Sequence, residues 1–205
     1  MAIVDYGVGN LRSVQKAIEH VGFPAEVTHD PARLAAAPGV VLPGQGAFGT
    51  CMHHLADAGL VEAVRAAAES GRPFLGICVG MQLLFERSEE SPDTPGLGLF
   101  PGRVVRFPHD AERKVPHMGW NQLHIVRRPP VLADVAEGAY VYFVHSYHVV
   151  PDDPELVATT TSYGPEFVSS VARANVFAGV FHPEKSQAVG LRLLGNFVEQ
   201  VRRAA

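Results

Sequence analysis

The pentapeptide Gly76-Ile77-Cys78-Val79-Gly80 limits the possible folds of this chain more than any other segment. It completes an apolar run, Phe74-Leu75-Gly76-Ile77, that reads as a buried strand, and it leads into a helical pattern over residues 79–86. A G-x-C-x-G segment at a strand-to-helix junction is the cysteine form of a nucleophile elbow. Such a turn holds its central residue in a strained backbone conformation at the top of a sheet. The flanking glycines are required because neighbouring backbone crowds any side chain there. The sulfur would sit at a helix start, where free N–H groups and the dipole favour thiolate, and the N–H of Val79 would face a developing oxyanion. The plain alternative is a small buried cysteine at a strand end; glycines on both sides favour the nucleophile. The second cysteine, Cys51, lies in Gly49-Thr50-Cys51-Met52-His53-His54 without an elbow. No second cluster matches it at metal-ligand spacing, so Cys51 reads as structural and no metal is expected.

An elbow needs a sheet around it, and the first half of the chain supplies one. Residues 2–5 read as a strand. Leu11, Val14, Ala17, Ile18 and Val21 then share one helical face, closed by Gly22. A second strand is expected over 25–28, and Asp30-Pro31 opens a short helix as cap and first-turn proline. A third strand over 40–42 ends in Pro43-Gly44-Gln45-Gly46, and one helical stretch covers 47–70 up to Gly71. Strands alternating with helices predict parallel βαβ units. The second half favours strands, over 104–107, 122–126, 140–144, 156–161, 167–172 and 176–181, with few helices between. The last helix starts near Ser186, with Leu191, Leu194, Phe197, Val198 and Val201 as its apolar stripe. The expected fold is α/β: a single-domain layered sandwich over residues 1–205, with a largely parallel central sheet, helices on both faces and added antiparallel strands. Loops 87–97 and 108–118, rich in Pro, Gly and charge, are candidates for mobile or partner-facing segments.

Composition narrows the function. A chain of 205 residues that is 47% hydrophobic has enough apolar material for a core, and its length suits one domain. It carries 17 basic against 21 acidic residues, net −4. Without a basic excess to neutralise phosphates, nucleic-acid binding is not expected. No stretch approaches the ~18 uninterrupted apolar residues of a membrane span. The start Met1-Ala2-Ile3-Val4-Asp5 reads as a strand, not a signal peptide, and two cysteines make no disulfide framework. These readings predict a soluble cytoplasmic protein with reduced thiols.

A thiol nucleophile needs a base, and the base an orienting group. Among the histidines His182 fits best, because it follows the apolar run at 176–181 and so sits, like Cys78, at a strand terminus. Glu184 lies two residues on with Pro183 between, a spacing that lets its carboxylate turn back to the imidazole and fix its tautomer. Alone, Glu184 would read as a helix cap and His182 as a residue at a strand end; together with the elbow they read as a triad. The Pro43-Gly44-Gln45-Gly46 turn exposes backbone N–H groups and fits a second oxyanion donor, though by itself it is also an ordinary turn.

Gly76-Ile77-Cys78-Val79-Gly80-Met81-Gln82, His182-Pro183-Glu184 and the Pro-Gly-x-Gly turn resemble the class I, triad-type glutamine amidotransferases, which implies a flavodoxin-like sandwich of that type. Asp5-Tyr6-Gly7-Val8-Gly9-Asn10-Leu11-Arg12-Ser13-Val14, Pro116-His117-Met118-Gly119-Trp120-Asn121, His145-Ser146-Tyr147 and Phe181-His182-Pro183-Glu184-Lys185-Ser186 resemble one branch of it, the glutaminase subunits of imidazole glycerol phosphate synthase. The resemblance implies that Cys78 attacks the carboxamide of L-glutamine, that His182 moves the protons, and that Glu184 orients His182. It further implies an oxyanion hole from Val79, Gly44, Gln45 and Gly46, and glutamine binding by Gln82, Glu90, His145, Ser146 and Tyr147. No cofactor is implied. The ammonia would pass to a cyclase subunit with a (β/α)8 barrel, forming a heterodimer, in histidine biosynthesis. Gln45 departs from the pattern, which more often has an apolar residue there; a backbone donor tolerates that change.

Asn10, Met118, Trp120, Asn121 and Lys185 are the candidate partner-interface residues. Trp120 is the sole tryptophan. It reads as part of a Met-Gly-Trp-Asn turn in a loop, and Trp and Met are enriched at interfaces. The bland readings are a tryptophan at the core edge and a solvated lysine. Three rival functions compete. Another class I glutaminase, of pyridoxal phosphate synthase or nucleotide synthetase type, does not explain the segments at 5–14 and 116–121. A cysteine hydrolase or peptidase gives no reason for Gln82 or His145-Ser146-Tyr147. A redox-sensing module needs no His182–Glu184 pair.

Overall fold

Short, wholly buried strands need support from both faces, and this sequence places its helices accordingly. The computed structural model describes residues 1–108 and 114–204. In chain order the elements are β1 (Ala2–Val4), α1 (Leu11–His20), β2 (Glu26–Thr28), α2 (Pro31–Ala36), β3 (Val40–Leu42), α3 (Phe48–Asp57), α4 (Val61–Glu69), β4 (Phe74–Ile77), α5 (Val79–Gln82), β5 (Phe85–Ser88) and β6 (Phe100–Arg106). There follow β7 (His117–Gln122), β8 (His124–Ile125), β9 (Tyr140–His145), β10 (Tyr147–Pro151), β11 (Val157–Ser162), β12 (Glu166–Arg173), β13 (Val176–Gly179) and α6 (Gln187–Ala204). Asn10 and Asp30 accept from the N–H groups of Ser13 and Ala32 to start α1 and α2.

The main sheet runs β2-β1-β3-β4-β13-β12-β10-β6-β5. The first five strands are parallel; β12, β10 and β6 join antiparallel, with β11 and β8 stacked beyond β12. The chain moves one way along the sheet from β1 to β2 and the other way from β2 to β4. Right-handed crossovers therefore put α1 on one face and α2 to α4 on the other. The observed contacts of α1 with α6 and of α2 with α4 agree. This is the expected α/β sandwich, and it gathers the carboxyl ends of β3, β4 and β13 along one edge. No described helix is long and apolar enough to cross a membrane.

Several local expectations are corrected. The helix over 47–70 is broken into α3 and α4 at Gly59, whose φ of +68° ends the first helix. The helix expected to residue 86 lasts one turn, because Phe85 leaves it to pair with Phe100 in β5 and β6. The segment holding Trp120 is not a turn: it is β7, paired antiparallel with β9 in a separate two-stranded sheet, Trp120 opposite Tyr142 and His117 opposite His145. Gly119, at φ +137°, masks the strand pattern in the sequence. In α6 the buried stripe is Leu193, Leu194, Phe197, Val198 and Val201, while Leu191 is only partly covered. Of the loop 108–118, residues 109–113 lie outside the described residues, and His117 and Met118 belong to β7.

Candidate active site

Cys78 occupies the turn between β4 and α5 with φ 55° and ψ −117°, a left-handed conformation costly for any residue with a Cβ. Its N–H donates to Gly179 O on neighbouring β13, at 2.8 Å, which ties the strained residue to the sheet. A Cβ on Gly80 would run into Leu42 O, and one on Gly44 would lie 2.6 Å from Gly80 N. The elbow and the Pro43–Gly46 turn thus meet backbone to backbone, as a shared oxyanion site requires. Because α5 is a single turn, little macrodipole is available; what it offers the sulfur is its first N–H groups.

His182 follows β13, in parallel register with β4. The strand ends at Gly179, two residues before the expected Phe181, whose ring folds back over Gly179. Glu184 Oε1 lies 2.8 Å from His182 Nδ1, and the side chains are 2% and 7% exposed. Burial opposes charge on His182, but Cys78 and Glu184 outweigh it and push the pKa up to about 10. Nδ1 is held by Glu184. Nε2 closes no hydrogen bond in this conformation, although the sulfur is near enough to favour the imidazolium.

Two further residues hold His182, and the sequence reading missed both roles. The His182 N–H donates to Tyr142 O at 2.9 Å. The Tyr142 N–H donates to Ser186 Oγ at 2.9 Å, and Ser186 O–H donates to His182 O at 2.6 Å. This ring of hydrogen bonds clamps the His-Pro-Glu turn against β9. Ser186 had looked like no more than the helix start.

The Pro43–Gly46 turn is anchored from behind. Tyr6 O–H donates to Pro43 O at 2.6 Å, and Cys51 Sγ donates to Gln45 O at 3.4 Å. Burial raises the Cys51 pKa, so it stays a thiol donor. Cys51 is therefore a buried residue with a task, holding the Gln45 carbonyl toward α3 and turning Gly46 N–H the other way.

A cleft of about 320 Å³ lies at this edge, lined by Cys78, His182, Val79, Gln45 and Gly46 and by all five expected glutamine-binding residues. Gly44 sits behind Val79, and Glu184 behind His182. Gln82 Nε2 donates to Tyr147 O at 3.2 Å. Glu90 Oε2 accepts from Phe48 N at 2.7 Å, so one carboxylate oxygen already caps α3. His145 borders the cleft with both ring nitrogens engaged, Nδ1 on Tyr147 O at 2.9 Å and Nε2 on His117 at 3.0 Å. Among the described residues no cluster of metal-ligating side chains is found.

The expected interface residues divide. Met118 (62% exposed) and Trp120 (46%) point outward from β7 beside Tyr140 (53%), and Lys185 reaches the cleft rim with Nζ 5.9 Å from the Tyr142 ring. Asn10 is exposed at the start of α1. Asn121 turns inward, its amide donating to Ser162 O at 2.9 Å.

Comparison with known proteins agrees with this geometry. Residues 2–201 match the family model for glutamine amidotransferase class-I. Curated relatives named imidazole glycerol phosphate synthase subunit HisH are 56% identical in Syntrophotalea carbinolica, over 96% of this chain and 98% of the relative. They are 55% identical in Geobacter sulfurreducens (97% and 98%) and 53% in Moorella thermoacetica (100% and 96%). A crystal structure of a glutamine amidotransferase superposes with a TM-score of 0.73 at 22% identity, covering 98% of both chains. The PurLQS structure from Thermotoga maritima gives 0.72 at 20% identity, over 98% of this chain and 96% of that one. The chain belongs to the class I glutamine amidotransferases, in the branch of the HisH subunits of imidazole glycerol phosphate synthase.

Proposed function

We propose that residues 1–205 form one amidotransferase domain that acts as the cytoplasmic glutaminase subunit of an imidazole glycerol phosphate synthase. The observation that carries the chemistry is that Cys78 and His182 line one cleft from adjacent parallel strands, with Glu184 2.8 Å behind His182. A His182 pKa pushed up to about 10 by Cys78 and Glu184 makes the ring a strong base, which takes the Cys78 thiol proton. Cys78 Sγ attacks the side-chain carbonyl carbon of glutamine. The oxyanion is received by the N–H of Val79 and by the turn at Gly44, Gln45 and Gly46. His182 gives its proton to the leaving nitrogen, the C–N bond breaks, and ammonia leaves a γ-glutamyl thioester on Cys78. His182 then takes a proton from water, whose attack releases glutamate and restores the thiolate. Glu90, Ser146 and Tyr147 help bind the α-amino and α-carboxylate groups of glutamine, and Gln82 helps hold the substrate, with His145 among the residues of this wall.

The relatives' name supports the second half of the reading. Ammonia passes to a cyclase subunit built on a (β/α)8 barrel. There it reacts with the open phosphoribulosyl-formimino intermediate to give imidazole glycerol phosphate and aminoimidazole carboxamide ribotide. Met118 and Trp120 beside the cleft, with Lys185 at its rim, form the docking face. The deciding experiment is a glutaminase assay with and without the cyclase subunit and its nucleotide ligand. Weak activity alone and strong stimulation in the complex are expected; full activity without a partner would reject the subunit assignment.

A further inference from the structure

Behind the cleft wall lies a buried histidine to which the chemistry above gives no role. His117 Nδ1 is 3.0 Å from His145 Nε2, and His117 Nε2 is 3.2 Å from Asn121 Nδ2. The chain continues from His145 Nδ1 to Tyr147 O, which also accepts from Gln82 Nε2. We propose that His117 and His145 form a fixed-polarity pair of neutral imidazoles that holds the Tyr147 carbonyl in place for Gln82, making both positioning residues for glutamine binding. This rests on the reading of the cleft as a glutamine site.

Backbone groups set the polarity independently at each end. Tyr147 O has no proton to give, so His145 carries its hydrogen on Nδ1 and Nε2 is left to accept. At the far end the Asn121 amide is fixed in orientation: Nδ2 donates to Ser162 O at 2.9 Å, and Oδ1 accepts from Gln122 N at 2.8 Å. Its Nδ2 therefore faces His117 as a donor, so His117 Nε2 accepts and Nδ1 carries the hydrogen. That hydrogen points at the lone pair of His145 Nε2. Both ends demand the same direction, and every ring nitrogen is satisfied once.

The surroundings keep the pair neutral. The His117 ring is stacked between Phe143 and Tyr163, with centroids 4.8 and 4.0 Å away. Phe107 and Phe167 lie edge-on to it. Burial lowers the His117 pKa to about 4 and that of His145 to about 3. The other titratable groups facing the pair are the Tyr163 phenol, His148, itself lowered by burial, and His182, whose charge disfavours a second one nearby. A charged ring here would present two donors where the chain offers one acceptor.

The consequence falls on Gln82, which lies one helical turn after Cys78. With Nε2 tied to Tyr147 O, its Oε1 is left as an acceptor for a bound ligand. Loss of the His145 donor frees the Tyr147 peptide to turn and takes the anchor of Gln82 with it.

The test uses the complex with the cyclase subunit. His117→Phe preserves the stacked ring and removes both nitrogens; KM for glutamine should rise about tenfold or more, with kcat changed less than about threefold. Asn121→Asp reverses the outer end without changing size. Its carboxylate only accepts, so His117 must donate from Nε2, two lone pairs then meet, and the pair takes up a proton. Histidine 15N NMR should show two neutral Nδ1–H rings from pH 5 to 8 in the parent, and a titrating pair in Asn121→Asp. An Nε2–H tautomer at either ring in the parent overturns the proposal, as does an unchanged KM in a folded His117→Phe. If His117→Phe does not fold, the NMR comparison decides. If the parent complex hydrolyses no glutamine, the reading of the cleft fails, while the NMR result still judges the pair.

Discussion

Glu184 reaches back across Pro183 to hold His182 from behind, Oε1 to Nδ1, and neither side chain is open to solvent. The contact fixes which nitrogen of His182 faces Cys78 and supports the ring's positive charge. Glu184→Gln keeps the shape and removes the charge. It should lower kcat about 10²–10⁴-fold, the usual span of a general acid–base contribution, and shift the alkaline limb of kcat/KM to lower pH. A rate profile that keeps both its height and its alkaline limb would show that Glu184 does not orient His182.

The same pair makes stability depend on pH. In the fold His182 titrates near 10, above its unfolded value of about 6.5. Protonation therefore stabilises the fold, an advantage complete below pH ~6.5 and lost as pH rises toward ~10. Denaturant midpoints measured from pH 6 to 10 should fall more steeply in the parent than in Glu184→Gln, and the two curves should converge at high pH. Parallel curves would mean that Glu184 is not what raises His182.

The two cysteines separate cleanly. Cys78→Ala removes the proposed nucleophile and should abolish glutamine hydrolysis. Cys51→Ala loses only the donor to Gln45 O and should retain hydrolysis at a rate lower by roughly tenfold or less, in line with a single hydrogen bond of about 1 kcal/mol. Acyl-enzyme trapping by mass spectrometry should find the γ-glutamyl adduct on Cys78 in the parent and in Cys51→Ala. An adduct on Cys51 would reverse the assignment.

The legible parts of this molecule are those written in one short stretch of chain. The elbow shows itself through Gly76 and Gly80, and His182-Pro183-Glu184 through spacing alone, because two residues and a rigid proline fix their relation. The parallel half of the sheet follows from alternating local patterns. What escaped notice depends on contacts distant in sequence. Ser186 clamps His182 only because β9 brings Tyr142 alongside. His117 matters only because β7 and β9 pair it with His145. The strand under Trp120 was hidden by Gly119, and the end of α5 by a pairing of Phe85 with a strand not yet formed when the helix pattern is read.

Ser186 offers a test of that hidden layer. Ser186→Ala leaves the Tyr142 N–H without its partner in a buried place, while the His182 carbonyl keeps the Lys185 N–H, a loss of about 1–3 kcal/mol of stability. The His-Pro-Glu turn keeps only the His182 N–H to Tyr142 O bond to β9, so kcat should fall while KM for glutamine changes little, since Ser186 does not line the cleft. Ser186→Thr, which keeps the hydroxyl, should recover part of the rate. Full activity in Ser186→Ala would reduce the hydrogen-bond ring to a packing detail.

Trp120 tests the docking face. It stands 46% exposed on β7, with its ring edge-on to Tyr142 at 6.0 Å, and Met118 shares its outward face. An aromatic this open contributes little to the isolated fold, so Trp120→Ala should leave the unfolding midpoint nearly unchanged. In the complex it should act as an anchor, and its loss should weaken heterodimer formation by roughly 1–4 kcal/mol. Titration calorimetry with the cyclase subunit measures this directly, and most of the change should fall on the dissociation rate. An unaltered Kd together with a lowered unfolding midpoint would mean that Trp120 covers the edge of the core and that the partner docks elsewhere.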